Sequence, residues 1–369
     1  MPTNKTYAYA PDYAVAPGES LREAIEYLGM TQVEFAQRMG MTPQSLSRIL
    51  SGKQPITHET AQKLEFITGI SREFWNNLEA RYREQLQIIE LKKQENSFKN
   101  FIKLIPVKEL AKRGYIQKFK EYVKQGVELL KFYKIGEIAA FDGYAESMVA
   151  AARSSPAFST SVYNAVTYIT MGMHEAEKID VADYDEKKFK EVLGQARSMI
   201  KEPPEDFSAD LQELFASAGV ALVYVPAFTG VSFSGASKWI SSSKAMIIMN
   251  IRGKREDRFW FSLFHEAAHI LKHSKTKIYI AEAASTNPEE EEAERFAAHI
   301  LIPAKYDERI QKATTEAEII KIAEELDVSP GIVAGRYQHL NKNWKLFNNL
   351  FRSIEWAEES SGLKVVSSK

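Results

Sequence analysis

No cysteine occurs among the 369 residues, which excludes disulfides and thiolate metal sites and fits a cytoplasmic protein. Long apolar runs are missing as well. None approaches the roughly 20 residues of a membrane-spanning helix, and Met1 to Tyr13 lacks the basic and apolar regions of a secretion signal. A membrane partner is therefore not expected. An excess of either charge is missing too: the net value of −1 says little about partners. What is present is 44% hydrophobic residues, over a length that can bury two or three domain cores.

The most informative segment is Phe264 to Ile270, which contains His265-Glu266-Ala267-Ala268-His269, an H-E-x-x-H pattern. On a helix the two histidines fall one turn apart on one face, where both imidazoles can hold one Zn²⁺. Glu266 then lies beside the metal without ligating it, placed to take a proton from water whose pKa the metal lowers. The pattern arises by chance in a chain of this length with a probability on the order of 1%.

A zinc site of this kind needs a third protein ligand, and a downstream acid can supply it. Pro288 to Pro303 reads as a second helix. Pro288 suits its first turn, Glu289, Glu290, Glu291, Glu292 and Glu294 suit its positive end, and Ala293, Phe296, Ala297 and Ile300 form an apolar face. His273 falls near the end of the first helix, while His299 lies on the second with no ligand role required. Ahead of the motif, Ala221 to Val225 and Ala245 to Ile251 read as strands, with Gly230, Gly235 and Ser241 to Ser243 as turns between them. An edge strand beside such a helix can pair with an extended substrate and bring its carbonyl to the metal.

From about Val220 to Pro303 the chain resembles the ImmA/IrrE metallopeptidases. Their pattern is a strand, an H-E-x-x-H helix, and a helix reading E-x-x-A-(N/D)-x-F-A-A-x-L-L-x-P. Glu290, Ala293, Phe296, Ala297, Ala298 and Pro303 match that last helix. The resemblance implies a zincin-like, gluzincin-type α+β domain with Zn²⁺ on His265, His269 and Glu290. It also implies Glu266 as the catalytic base and Glu294 as a carboxylate behind a zinc-binding histidine. Two departures stand out. Glu294 occupies a position that is usually Asn or Asp, and His299 one that is commonly acidic or polar.

A second pattern lies near the N-terminus. Leu21 to Leu28 has helical spacing, Thr31 to Glu34 reads as a capping box, and Gly40 ends the short helix that follows. Thr42 and Pro43 open the next helix, which runs to Ser51-Gly52. Thr57 caps a fourth helix, ended by Gly69, and Ser71 opens a fifth. From Pro17 to about Leu86 this succession resembles phage-repressor-type (XRE) helix-turn-helix domains, in particular antitoxins of the HigA kind. The resemblance is carried by Thr31-Gln32, Phe35-Ala36, Ser45 to Ile49, Ser51-Gly52-Lys53 and Gly69 to Trp75. It implies that Gln44, Ser45, Ser47 and Arg48 face the major groove of double-stranded operator DNA, with Gln32 and Lys53 at phosphates. Gly18 to Leu86 carries 8 Lys+Arg against 9 Asp+Glu, so DNA binding there would rest on a local patch. Lys92 to Lys134 is basic instead, with 12 Lys+Arg against 4 Asp+Glu, and can add phosphate contacts or form a solvated helical face.

The expected architecture is therefore multidomain α+β. It comprises an N-terminal arm (1–16), an all-α helix-turn-helix domain (17–90) and a helical middle region (91–205). A zinc metallopeptidase core (206–305) and a helical C-terminal extension (306–369) follow. Breaks in the middle region are expected at Gly114, Gly126, Gly136 and Ser154 to Pro156. In the extension, Ile319 to Leu326 and Ile332 to His339 have the rhythm of a second helix-turn-helix, and Val365 to Lys369 should fray. By resemblance the protein is a cytoplasmic, homodimeric DNA-binding regulator whose zinc endopeptidase cuts a repressor-like or toxin-like protein. The rival expectation is an antitoxin-like regulator whose zinc domain is a sensor or a platform without proteolysis.

Overall fold

The computed structural model describes residues 13–153, 161–203, 207–280, 288–356 and 363–366, so the break expected at Ser154 to Pro156 lies outside the described residues. The chain divides into two compact units. One contains the described residues up to 100 together with 120–126, and the other residues 101–119 and those from 127 onward.

In the first unit, helices α1 (Pro17–Tyr27), α2 (Gln32–Met39), α3 (Pro43–Leu50), α4 (His58–Thr68) and α5 (Arg72–Lys93) enclose a small core. Leu21, Phe35, Leu46, Leu64 and Trp75 are completely buried in it. Thr31, Thr42, Thr57 and Ser71 each accept the N–H of the third residue ahead at 3.1–3.3 Å, a cap worth about 1 kcal/mol apiece. The capping box expected at α2 is only half made. The Glu34 carboxylate accepts from Arg38, one turn on, at 2.7 Å, and an ion pair on the exposed face displaces the return bond to Thr31.

Helices α6 (Glu95–Leu104), α7 (Val107–Lys112) and α8 (Tyr122–Tyr133) follow. Gly126, expected to break a helix, lies inside α8 instead. A Cβ there would come within 1.8 Å of the Phe98 ring, so its smallness serves close packing.

The second unit is built on a sheet of β1 (Val220–Tyr224), β2 (Gly235–Trp239), β3 (Ala245–Met249) and β4 (Ile278–Ile280), in the order β1-β3-β2-β4. β1 and β3 run parallel, and the other pairs are antiparallel. Every residue of β1 and β3 is buried, as their unbroken apolar runs require of strands covered on both faces. On one face, Ala221, Val223, Met246, Ile248, Ile278 and Ile280 pack with α9 (Ala140–Arg153) and α10 (Val162–Glu177). On the other, Leu222, Tyr224, Ile247 and Met249 pack with α11 (Glu186–Ser198), α12 (Phe207–Ser217) and α13 (Glu256–Lys272).

Two features of this sheet depart from the sequence reading. The segment opened by Gly235, expected as a turn, is the strand β2. The edge nearest α13 is the short β4, while β3 is interior and β1 lies at the far edge.

The chain continues through α14 (Pro288–Leu301), α15 (Asp307–Gln311), α16 (Glu316–Leu326) and α17 (Pro330–Asn341), then ends in an antiparallel hairpin of β5 (Ser353–Trp356) and β6 (Leu363–Val366). The fraying expected from Val365 is corrected over the described residues. β6 pairs with β5, the Leu363 side chain is buried, and its N–H donates to Ser208 Oγ at 2.8 Å. The hairpin is pinned to α13 by Arg352, whose guanidinium donates to the fully buried Glu256 carboxylate at 2.6–2.8 Å. Arg352 donates further to the carbonyls of Ile200 and Lys201.

Candidate metal centre and DNA-reading helix

Helix α13 runs under the sheet with Phe259, Trp260, Leu263, Phe264, Ala267 and Ala268 in the core. That apolar stripe fixes its rotation, and the rotation carries His265 and His269 together toward α14. There the Glu290 carboxylate meets them. His265 Nε2 lies 3.0 Å from Glu290 Oε2, His269 Nε2 lies 3.4 Å from Glu290 Oε1, and the two Nε2 atoms are 3.1 Å apart. Tetrahedral Zn²⁺ with bonds of about 2.0–2.1 Å separates its ligand atoms by about 3.3 Å, so the three donors fit that ion. All three side chains are almost wholly buried, and they form the one His/Asp/Glu cluster of metal-binding shape among the described residues.

Electrostatics favours the ligating forms of two of these groups. Burial pushes the His269 imidazole down to about 4, assisted by the neighbouring His265 and His273 and partly opposed by Glu290. Burial alone would push the Glu290 carboxyl up, but the two imidazoles outweigh it and hold the carboxyl at about 2. At His265 burial again opposes the charged form, yet Glu290, Glu266 and Glu294 tip the balance upward. Protons therefore compete for His265 in a way they do not for His269.

Two supporting residues went unrecognised in the sequence. His273, just past the last turn of α13, places its Nδ1 2.8 Å from His269 Nδ1. If His269 donates that proton, its Nε2 lone pair is left free for a metal. Tyr279 of β4 stacks on the His269 ring at 4.1 Å between centroids and 13° between planes, and its hydroxyl accepts the Ser274 N–H at 3.1 Å. The i, i+4 spacing of His273 was a visible signal. Nothing local marked Tyr279, because its contact depends on where β4 docks.

Glu266 is completely buried against β2. A Cβ on Gly235 would lie 3.1 Å from Glu266 Cγ and 3.2 Å from its Oε1, so glycine gives the carboxylate room that a larger residue would crowd. Glu294 lies one turn beyond Glu290, exposed, in the wall of an open cleft of about 960 Å³ that His265 also lines. His265 Nδ1 is buried without a hydrogen-bond partner among the described residues, so Glu294 does not reach it here.

In the first unit, α3 buries Leu46, Ile49 and Leu50 and turns Gln44, Ser47 and Arg48 outward on one face. Ser45 is half-buried, with its hydroxyl 3.0 Å from that of Thr42. Gln32 opens α2 and Lys53 follows α3, both exposed. The turn bearing Lys53 is held by buried Glu79, which accepts from Ile56 N–H at 3.1 Å and Arg83 at 2.6 Å.

An all-helical DNA-reading head followed by an H-E-x-x-H domain defines a class of two-part regulators. Comparison with known proteins places the chain within it. Residues 223–337 match the family model of the IrrE N-terminal-like domain, peptidase M78, and residues 21–75 match the helix-turn-helix model. The HTH-type transcriptional regulator YddM of Escherichia coli (strain K12) is 38% identical over 63 residues, covering 17% of this chain and 67% of that protein. Among solved structures, an antidote protein of a plasmid maintenance system from Nostoc punctiforme is 21% identical, covering 23% of this chain and 92% of that one, with a TM-score of 0.22. A HigA-family addiction module antidote protein from Coxiella burnetii is 30% identical, covering 24% and 92%, with a TM-score of 0.21. The chain belongs to the helix-turn-helix transcriptional regulators fused to an ImmA/IrrE, metallopeptidase-family domain. Among the described residues no helix is long and apolar enough to cross a membrane.

Proposed function

We propose that this regulator binds operator DNA as a homodimer through α3 and cuts a specific repressor-like or toxin-like protein with a zinc endopeptidase site. The observation that carries the peptidase reading is the convergence of two imidazole Nε2 atoms and one carboxylate in a buried site, beside a buried glutamate that ligation does not need. His265, His269 and Glu290 hold the ion. Bound Zn²⁺ supplies a Lewis acid that lowers the pKa of water and polarises a carbonyl. Glu266 takes the proton of the attacking water as the C–O bond forms, then gives it to the amine nitrogen as the peptide C–N bond breaks. His273 orients His269, and Glu294, from the cleft wall, is the carboxylate that turns toward His265 Nδ1 when substrate fills the cleft.

On the DNA side, Gln44, Ser45, Ser47 and Arg48 read bases while Gln32 and Lys53 hold phosphates, Gln pairing with adenine and Arg with guanine. In this proposal the DNA-binding domain spans 17–90, the helical middle region 91–205, the peptidase core 206–305 and the C-terminal extension 306–369. Such a head holds the peptidase near its own operator, in the cytoplasm.

The test uses zinc-loaded Glu266→Gln protein as a trap. A protein retained by that variant and cut by the wild type identifies the substrate. A partner retained by both and cut by neither transfers the domain to the sensor or platform reading.

A further inference from the structure

The cleft beside His265 carries more information than the metal ligands do. One wall is the face of α13 bearing Arg258, Phe261, Ser262 and His265, and the facing walls come from α14 and α17. Five arginines line it against two acids, Asp257 and Glu294. Three of the five are already matched. Arg255 is paired with Asp257 at 2.7 Å, Arg336 with Asp307 at 2.6 Å, and Arg295 with Glu291 at 3.5 Å.

Arg252 and Arg258 are different: both are exposed, and neither makes an ion pair among the described residues. They lie at the same end of the cleft. Gly253 has φ +82°, and a Cβ there would fall 2.9 Å from Arg258 Nη1, so the Arg258 guanidinium rests over the loop that carries Arg252. Half-buried Phe261, one turn beyond Arg258 on α13, adds apolar surface to that wall, and Trp344, which also lines the cleft, stands 56% exposed. An unmatched pair of guanidiniums on an apolar wall is suited to a carboxylate held on a peptide, bound by charge-assisted hydrogen bonds.

Resting on the peptidase reading, we infer that Arg252 and Arg258 form a specificity site for an acidic side chain of the protein substrate. Its distance from the cut follows from the helix. Arg258 precedes His265 by seven residues, about 10 Å along α13 at 1.5 Å per residue. An extended peptide covers that span in about three residues at 3.3 Å each. The substrate therefore carries Asp or Glu about three residues from the scissile bond.

The experiment uses full-length, zinc-loaded Glu266→Gln protein and fluorescein-labelled eight-residue peptides built of Ala, Leu and Tyr, with Glu or Gln at one scanned position. Binding about tenfold tighter for Glu than for Gln is expected, equivalent to about 1.4 kcal/mol. The preference should weaken with added salt and disappear in the Arg252→Gln/Arg258→Gln variant, whose zinc content and circular dichroism stay unchanged. In the wild type, mass spectrometry should place the cut about three residues from Glu. Equal binding of Glu and Gln peptides, a preference that survives the double substitution, or no peptide binding overturns the inference. Displacement of peptide by inorganic phosphate or succinate at equal affinity does so too, because it assigns the cleft to a free small anion. Cutting without acidic preference keeps the peptidase and rejects this specificity site. Acidic preference without cutting in the wild type keeps the site and rejects the peptidase.

Discussion

In the proposed function, Glu266 is the side chain that separates a peptidase from a zinc-binding platform. Replacing its carboxylate with the isosteric amide removes the proposed proton acceptor and leaves the proposed ligands His265, His269 and Glu290 in place. Glu266→Gln should therefore retain zinc while cleavage falls by about 10²-fold or more. His273→Ala is expected to act differently. It removes the Nδ1 partner of His269 at 2.8 Å, and zinc affinity, measured by competition with a chelator, should drop by about 10- to 100-fold. Gly235→Ala would press a methyl group against Glu266 and Met249, at a cost of about 1–3 kcal/mol from overpacking. Loss of activity with zinc retained would locate that damage at the base rather than the ligands. The H-E-x-x-H spacing made His265, Glu266 and His269 legible because a helix turns spacing into a shared face. Glu290 emerged from five nearby acids only through a family pattern. Tyr279 and the contact of Gly235 with Glu266 were illegible, since both depend on the docking of distant strands.

Among the elements, those with strong local codes were read well. The capped helices of the first unit carry a Thr or Ser at each start, and β1 and β3 are unbroken apolar runs. β2 and β4 were missed. β2 reads Gly-Ala-Ser-Lys-Trp, with no apolar alternation and a glycine at its start, and β4 spans three residues, so neither pattern stands above a turn. The C-terminal hairpin was missed for the same reason, and Arg352 supplies what its own sequence lacks. Burial pushes the Glu256 carboxyl up even beside Arg352. Arg352→Met would leave that carboxylate buried and unpaired, costing about 3–5 kcal/mol at neutral pH. A carboxyl raised in the folded state costs stability as pH climbs above its unfolded value, so this variant should regain stability on acidification. Thermal melts followed by tryptophan fluorescence at pH 5 and pH 8 check the sign; Trp239, Trp260, Trp344 and Trp356 all lie in the second unit. For α3 as the proposed reading helix, Arg48→Ala should cost about 1–3 kcal/mol at one base pair. Lys53→Ala should weaken all sequences alike and reduce the salt slope by about 1. Gel shifts across salt and operator variants separate the two.

For the whole molecule, each unit has its own buried core, Trp75 and Leu64 in the first and the four-stranded sheet in the second. Stripping the metal should therefore abolish cleavage and leave operator affinity within about twofold, a difference of about 0.4 kcal/mol. The central claim is that His265, His269 and Glu290 hold a zinc ion that works with Glu266. It is tested most directly by metal analysis of the wild type and of Glu266→Gln, each co-expressed with the proteins encoded beside its gene. The expected result is one zinc per chain in both, with a neighbouring protein cut by the wild type alone. Absence of zinc from both, or equal cutting by both, would contradict it.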